Sequence, residues 1–115
     1  MIKVRNTTRG VVLGDTVREA TTFFSRWKGL LGTEGLSTGE GIWISPCNSI
    51  HSFGMRFEFD VLFLDGGYRG EGLYKHFQRN RISRIIWKAR GVLELPAGTI
   101  ERTGTEVGDE VELRI

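Results

Sequence analysis

Pro46 to Asp65 reads P-C-N-S-I-H-S-F-G-M-R-F-E-F-D-V-L-F-L-D, and this stretch decides the fold. Pro46 to Ser49 is polar loop material. Beyond it, Phe57, Phe59, Val61 and Phe63 fall on one side of a strand, and Arg56, Glu58, Asp60, Leu62 and Leu64 on the other, because strand side chains alternate with period two. Asp60 stands out. A carboxylate between two phenylalanines and a Val-Leu-Phe-Leu run needs a partner, so Asp60 is expected inside a buried hydrogen-bond network. The same stretch holds the only cysteine, Cys47, and one of the two histidines, His51.

Downstream, Asp65-Gly66-Gly67 is a hairpin signal, and Tyr68 to Lys75 reads as the returning strand. His76 to Ser83 is a basic loop. Arg84 to Leu95 reads as a long strand with Ile85, Trp87, Ala89, Leu93 and Leu95 on one face and Lys88, Arg90 and Glu94 on the other. Pro96-Ala97-Gly98 turns the chain, Thr99 to Thr103 fits one helical turn closed by Gly104, and Glu110 to Ile115 alternates as a closing strand. Upstream, Ile2 to Arg5 alternates as a first strand and Gly41 to Ser45 as a short one. Between them, Gly14-Asp15 reads as a break and Thr16-Val17-Arg18-Glu19 matches a capping box. Val17, Ala20, Phe24, Trp27 and Leu31 then recur at three and four, which predicts a helix over about 16–32 ended by Gly32, its aromatic stripe in the core. The expected architecture is α+β but mainly β: a compact, curved β-barrel or half-barrel with that one helix in the N-terminal half.

The 115 residues fit a single domain, 1–115, around one core. Sixteen glycines against two prolines suit a turn-rich β chain better than a helical bundle. One cysteine makes no internal disulfide. No apolar run approaches the about 18 residues that span a bilayer, and residues 1–25 lack the apolar core of a signal peptide. The expectation is a cytoplasmic protein. Net charge is +2 but unevenly spread. Residues 69–90 hold seven basic groups against Glu71 alone, and residues 91–115 hold two against six acidic ones. Cross-strand pairing of Lys88 and Arg90 with Glu110 and Glu112 is the favoured reading. An anion-binding or nucleic-acid face is the sharper alternative, nucleic acid being the less favoured partner.

Four zinc ligands cannot be drawn from one Cys and two His without carboxylates. Cys47, His51 and Met55 are soft ligands that suit Cu(I), but in a straight strand His51 and Met55 would lie roughly 13 Å apart, so they meet only if the chain bends at Gly54. Nucleophilic catalysis would use Cys47 activated by His51 and oriented by Asp60 or Glu94. No nucleophile signature or phosphate loop frames these residues.

The run I-H-S-F-G-M-R-F-E-F-D-V-L-F-L-D, followed by V-L-E-L-P-A-G and V-G-D, resembles the bacterial and archaeal family called domain of unknown function 192. Upstream, F-x-R-W-x-G-L-L-G and G-I-W-I fit the same family. The resemblance runs from about Val11 to the end. It implies a small protein, often periplasmic or membrane-tethered among relatives, with no established reaction, and so a periplasmic or exported location here if an N-terminal signal has been removed.

The expected function is a non-catalytic small-ligand-binding or accessory domain with a polar pocket around 46–65, taking a small anionic or polar ligand and needing no cofactor. The residues expected to line it are Cys47, Asn48, His51, Arg56, Asp60 and Glu94. The alternatives are a small hydrolase or transferase using Cys47 or His51, and a soft-metal (copper) protein.

Overall fold

The computed structural model describes residues 1–115. Its centre is β4 (Phe59–Leu64), in which every residue is buried. Both faces are apolar because both are covered. Phe59, Val61 and Phe63 join one core cluster, while Leu62 and Leu64 join a second. β4 pairs antiparallel with β5 (Gly70–Phe77) on one side and β6 (Gly91–Pro96) on the other. Asp65 shapes the β4–β5 hairpin by accepting the Gly67 and Arg69 amides at 2.9 and 3.0 Å.

The other strands are β1 (Ile2–Asn6), β2 (Val11–Ala20), β3 (Glu40–Ile44) and β7 (Val111–Arg114). All seven belong to one sheet of order β5-β4-β6-β3-β2-β1-β7. Every neighbour is antiparallel except β2 and β3, which run parallel. The sheet curls into a half-barrel, and its ends meet at one corner, where the Gly70 amide donates to Asp109 O at 2.8 Å and the Val111 amide to Tyr68 O at 2.9 Å. Leu62, Leu64, Leu93, Leu95, Trp43, Val17 and Val4 fill the concave side. The second cluster, with Ile42, Ile44, Val61, Phe63 and Val92, lies on the opposite face of β3, β4 and β6, packed by Ile50, Met55, Phe77 and Ala89 from loops and strand ends.

Two short helices complete the fold. α2 (Thr99–Thr103) ends at Gly104 in the left-handed region, φ 69°, as its sequence predicts. Asp60 holds its start: Oδ2 accepts the Ile100 amide at 2.8 Å and Oδ1 the His76 amide at 2.9 Å. The buried carboxylate thus satisfies two backbone donors.

α1 spans only Phe23–Lys28, not about 16–32. Thr16 to Ala20 belongs to β2, in parallel register with Glu40 to Ile44. Tertiary pairing on both edges of β2 overrides a capping-box pattern that residues 16–19 share by coincidence. The working cap sits six residues later, where Thr22 Oγ1 accepts the Ser25 amide at 3.1 Å and Ser25 Oγ the Thr22 amide at 3.0 Å. No residue of α1 is buried, so the expected core stripe is instead an exposed pair of rings, Phe24 and Trp27, centred 6.1 Å apart. The long strand over Arg84 to Leu95 is also shorter than expected. Only Gly91 onward is paired, and Ile85 and Trp87 are exposed on the preceding segment. Lys88 and Arg90 do not meet Glu110 and Glu112, because β7 lies beside β1, at the far end of the sheet from β6. Glu110 pairs with Arg69 at 3.4 Å and Glu112 with Arg114 at 3.1 Å.

Candidate functional site

Glu94 lies on β6 between Ile42 of β3 and Val61 of β4. Alternation along β6 puts its side chain on the face of Val92, where it opens into a cavity of about 370 Å³. The residue is 4% exposed, and no protein group hydrogen-bonds its carboxyl. Burial alone pushes its pKa up to about 8, so at neutral pH the group is mostly the acid, able to donate one hydrogen bond and accept others.

Two walls rise from this floor. One is the loop after β3, which brings Cys47, Asn48, Ser49 and His51 to the cavity. Backbone bonds hold it to the segment before β6: Cys47 N to Arg90 O (3.1 Å), Ile86 N to Asn48 O (2.8 Å) and Ser83 N to Ile50 O (2.8 Å). Cys47 Sγ donates to Ser49 O at 3.1 Å. Burial pushes its thiol up, with Glu94 acting the same way, against the Ser49 hydrogen bond and the nearby Arg26 charge. His51 is exposed, accepts the Phe53 amide at Nδ1 (3.3 Å) and stacks on Phe53 with centroids 5.5 Å apart.

The second wall is α1 and the turn after it, carrying Phe23, Arg26, Trp27, Leu30 and Leu31. Arg26 Nη1 donates to Pro46 O at 3.1 Å and ties this wall to the first. Its Nε is buried without a partner. The cavity therefore joins apolar sides to an acid at the floor that lacks a protein partner, while the Arg26 Nε–H is enclosed in the wall behind it.

Of the residues the sequence nominates, Cys47, Asn48, His51 and Glu94 line this one cavity. Arg56 and Asp60 do not. Arg56 is exposed and pairs with Glu34 at 3.6 Å, while the Asp60 carboxylate is engaged by the His76 and Ile100 amides. Sequence reasoning misses Phe23, Arg26 and Trp27: Trp27 falls in the expected core stripe, and Phe23 and Arg26 fall inside the expected helix but off that stripe. The signal was present in T-F-F-S-R-W-K, a Thr-to-Ser cap before adjacent aromatic and basic residues with no acid among them. No three His, Cys, Asp or Glu side chains gather to hold a metal ion. Met55 shares the cavity with Cys47 and His51.

Proteins of similar sequence and fold come from archaea and bacteria. A UPF0127 protein of Thermococcus sibiricus is 32% identical over 115 residues, covering 96% of this chain and 73% of that protein. A UPF0127 protein of Thermococcus gammatolerans is 34% identical over 109 residues, covering 90% and 70%. Among solved structures, a protein of unknown function from Novosphingobium aromaticivorans superposes with a TM-score of 0.83 at 22% identity, over 96% of this chain and 82% of the other. A "putative transcription regulator" from Sinorhizobium meliloti does so at 0.80 and 21%, over 97% and 91%. No helix here is long and apolar enough to cross a membrane. The model of domain of unknown function 192, described as Uncharacterized ACR, matches residues 4–113, and the chain belongs to that family.

Proposed function

We propose that this protein is a non-catalytic small-ligand-binding domain whose site is the cavity over Glu94. The observation that carries the reading is the Glu94 carboxyl, buried on a central strand, aimed into the cavity and bonded to nothing in the protein. Its oxygens open to the cavity and have no protein partner, so a ligand that pairs with the carboxyl has only water to displace there. The volume of about 370 Å³ falls in the range of small-molecule sites. Its apolar walls select a mainly apolar body. The acid at the floor selects a molecule with a hydrogen-bonding oxygen at one end, a small carboxylic acid or amide being the simplest class.

Catalysis by Cys47 is the weaker reading, because a nucleophilic cysteine needs a depressed pKa and burial here moves the thiol the other way.

The test is protein-observed NMR with a panel of small aromatic and branched aliphatic acids, amides and amines. Acids and amides are expected to shift the resonances of Asn48 and His51 in the wild type and to lose that effect in Glu94→Leu. A panel that leaves these resonances unmoved, or shifts them equally in Glu94→Leu, refutes the reading.

A further inference from the structure

Charge and apolar surface are gathered at the end of the molecule where the cavity opens. Segments 20–33, 41–57 and 72–93 contain no Asp or Glu at all. The loop 45–53 joins them in space, bonded to α1 through Arg26 and Pro46 and to the 81–90 segment through Cys47, Asn48, Ile50 and Ser52. Arg79, Arg81, Arg84 and Lys88 on one side of this loop, and Arg26 and Lys28 on the other, have no carboxylate within 4.0 Å. Of twelve exposed large apolar side chains in the protein, six flank this loop and a seventh, Phe53, lies in it. They include Phe23 and Trp87, each 80% exposed, with Trp27, Ile82 and Ile85. Single exposed apolar residues need no explanation, but a contiguous set ringed by unpaired cations does.

We propose that this end is a docking surface for an anionic lipid bilayer. Trp and Phe rings with aliphatic tips enter the headgroup boundary, while surrounding Arg and Lys side chains meet lipid phosphates and carboxylates. Charge complementarity argues against the other occupants. A second copy of the chain meeting this face symmetrically would set cation against cation. A single-stranded nucleic acid would use the arginines and aromatic rings, but it gains nothing from the branched aliphatic Ile82 and Ile85, which a bilayer accommodates. Docking in this orientation would also turn the cavity mouth between α1 and the loop toward the lipid.

The two exposed tryptophans supply the readout, because Trp43, at 7% exposure, is already buried. The full chain is mixed with vesicles of phosphatidylcholine alone or of phosphatidylcholine with phosphatidylserine, and followed by flotation and tryptophan emission. Co-flotation with the phosphatidylserine vesicles only, a blue shift lost in stages in Trp27→Ala and Trp87→Ala, and release by added salt are expected. Changing Arg79, Arg81 and Arg84 together to Gln should weaken partitioning by about a hundredfold. All five positions are exposed, so these variants keep the fold. Absence of co-flotation at low salt, equal binding to uncharged vesicles, or tighter binding of a single-stranded oligonucleotide would each overturn the proposal.

Discussion

Replacing Glu94 by Gln should change how stability depends on pH, and the structure sets both sign and size. In the folded protein burial raises the Glu94 pKa to about 8, whereas an unfolded chain releases the proton near about 4.3. Below the unfolded value both states hold the proton and Glu94 contributes no pH-dependent term. As pH rises from there, the unfolded state ionises first and is favoured, so stability falls until the folded group also ionises. At about 1.36 kcal/mol per unit the loss approaches roughly 3–4 kcal/mol at pH 7 and about 5 kcal/mol above pH 8. That is a large share of the about 5–15 kcal/mol holding a typical domain together. Gln has nearly the same shape and no proton to lose. Its own unmet amide adds an offset, but the offset does not vary with pH. Urea unfolding of both proteins from pH 4 to 9 would measure the difference, a relative shift in midpoint of roughly 2–5 M across that span. Asp109, whose carboxylate is held below its usual range chiefly by Arg9 and Asn6 against the pull of burial, acts in the opposite direction. Its stabilising contribution is lost only as pH falls through its folded pKa, outside the Glu94 window. Parallel curves for wild type and Glu94→Gln would mean that the carboxyl is solvated or paired, and the ligand argument would fall with them.

Asp60→Ala should cost on the order of 1–3 kcal/mol by leaving the buried Ile100 and His76 amides unpaired, checked by the same unfolding assay. Gly91→Ala should destabilise by about 1–3 kcal/mol or more, since an added Cβ would run into the Trp43 ring; a neutral variant would show that the ring moves aside freely. Thr22→Ala should loosen α1 without changing the global unfolding midpoint by more than about 0.5 kcal/mol, because the helix buries no residue; faster tryptic cleavage after Arg26 and Lys28 is the measurement.

The half-barrel and most of its strands are legible in the sequence because their patterns answer to burial. β4 reads correctly because its alternation serves two cores, and α2 because Gly104 can turn where other residues cannot. The helix over 16–32 fails because Val17 and Ala20 are apolar for a strand's reason and Phe24 and Trp27 for a surface reason, yet together they match a helical period. Only pairing with residues distant in sequence separates the cases. The strand over Arg84 to Leu95 fails in the same way at Ile85 and Trp87. At the site, Cys47, Asn48 and His51 are visible as one loop, and Glu94 as the acid of an apolar strand. Arg26 is not, since its place depends on where α1 folds back against Pro46.

The parallel pairing of β2 with β3 has an evolutionary corollary. Strands that run the same way cannot be joined by a tight hairpin, so the chain must travel back from Ala20 to Glu40 by some route. The route taken supplies one wall of the cavity and sends no α1 side chain into the core. Substitutions at its exposed α1 positions should reshape the cavity wall while the half-barrel stays as it is, whereas Leu30, further along the same route, belongs to the core. Topology thus leaves α1 open to change, and sequences of this family are expected to vary there before they vary in the strands.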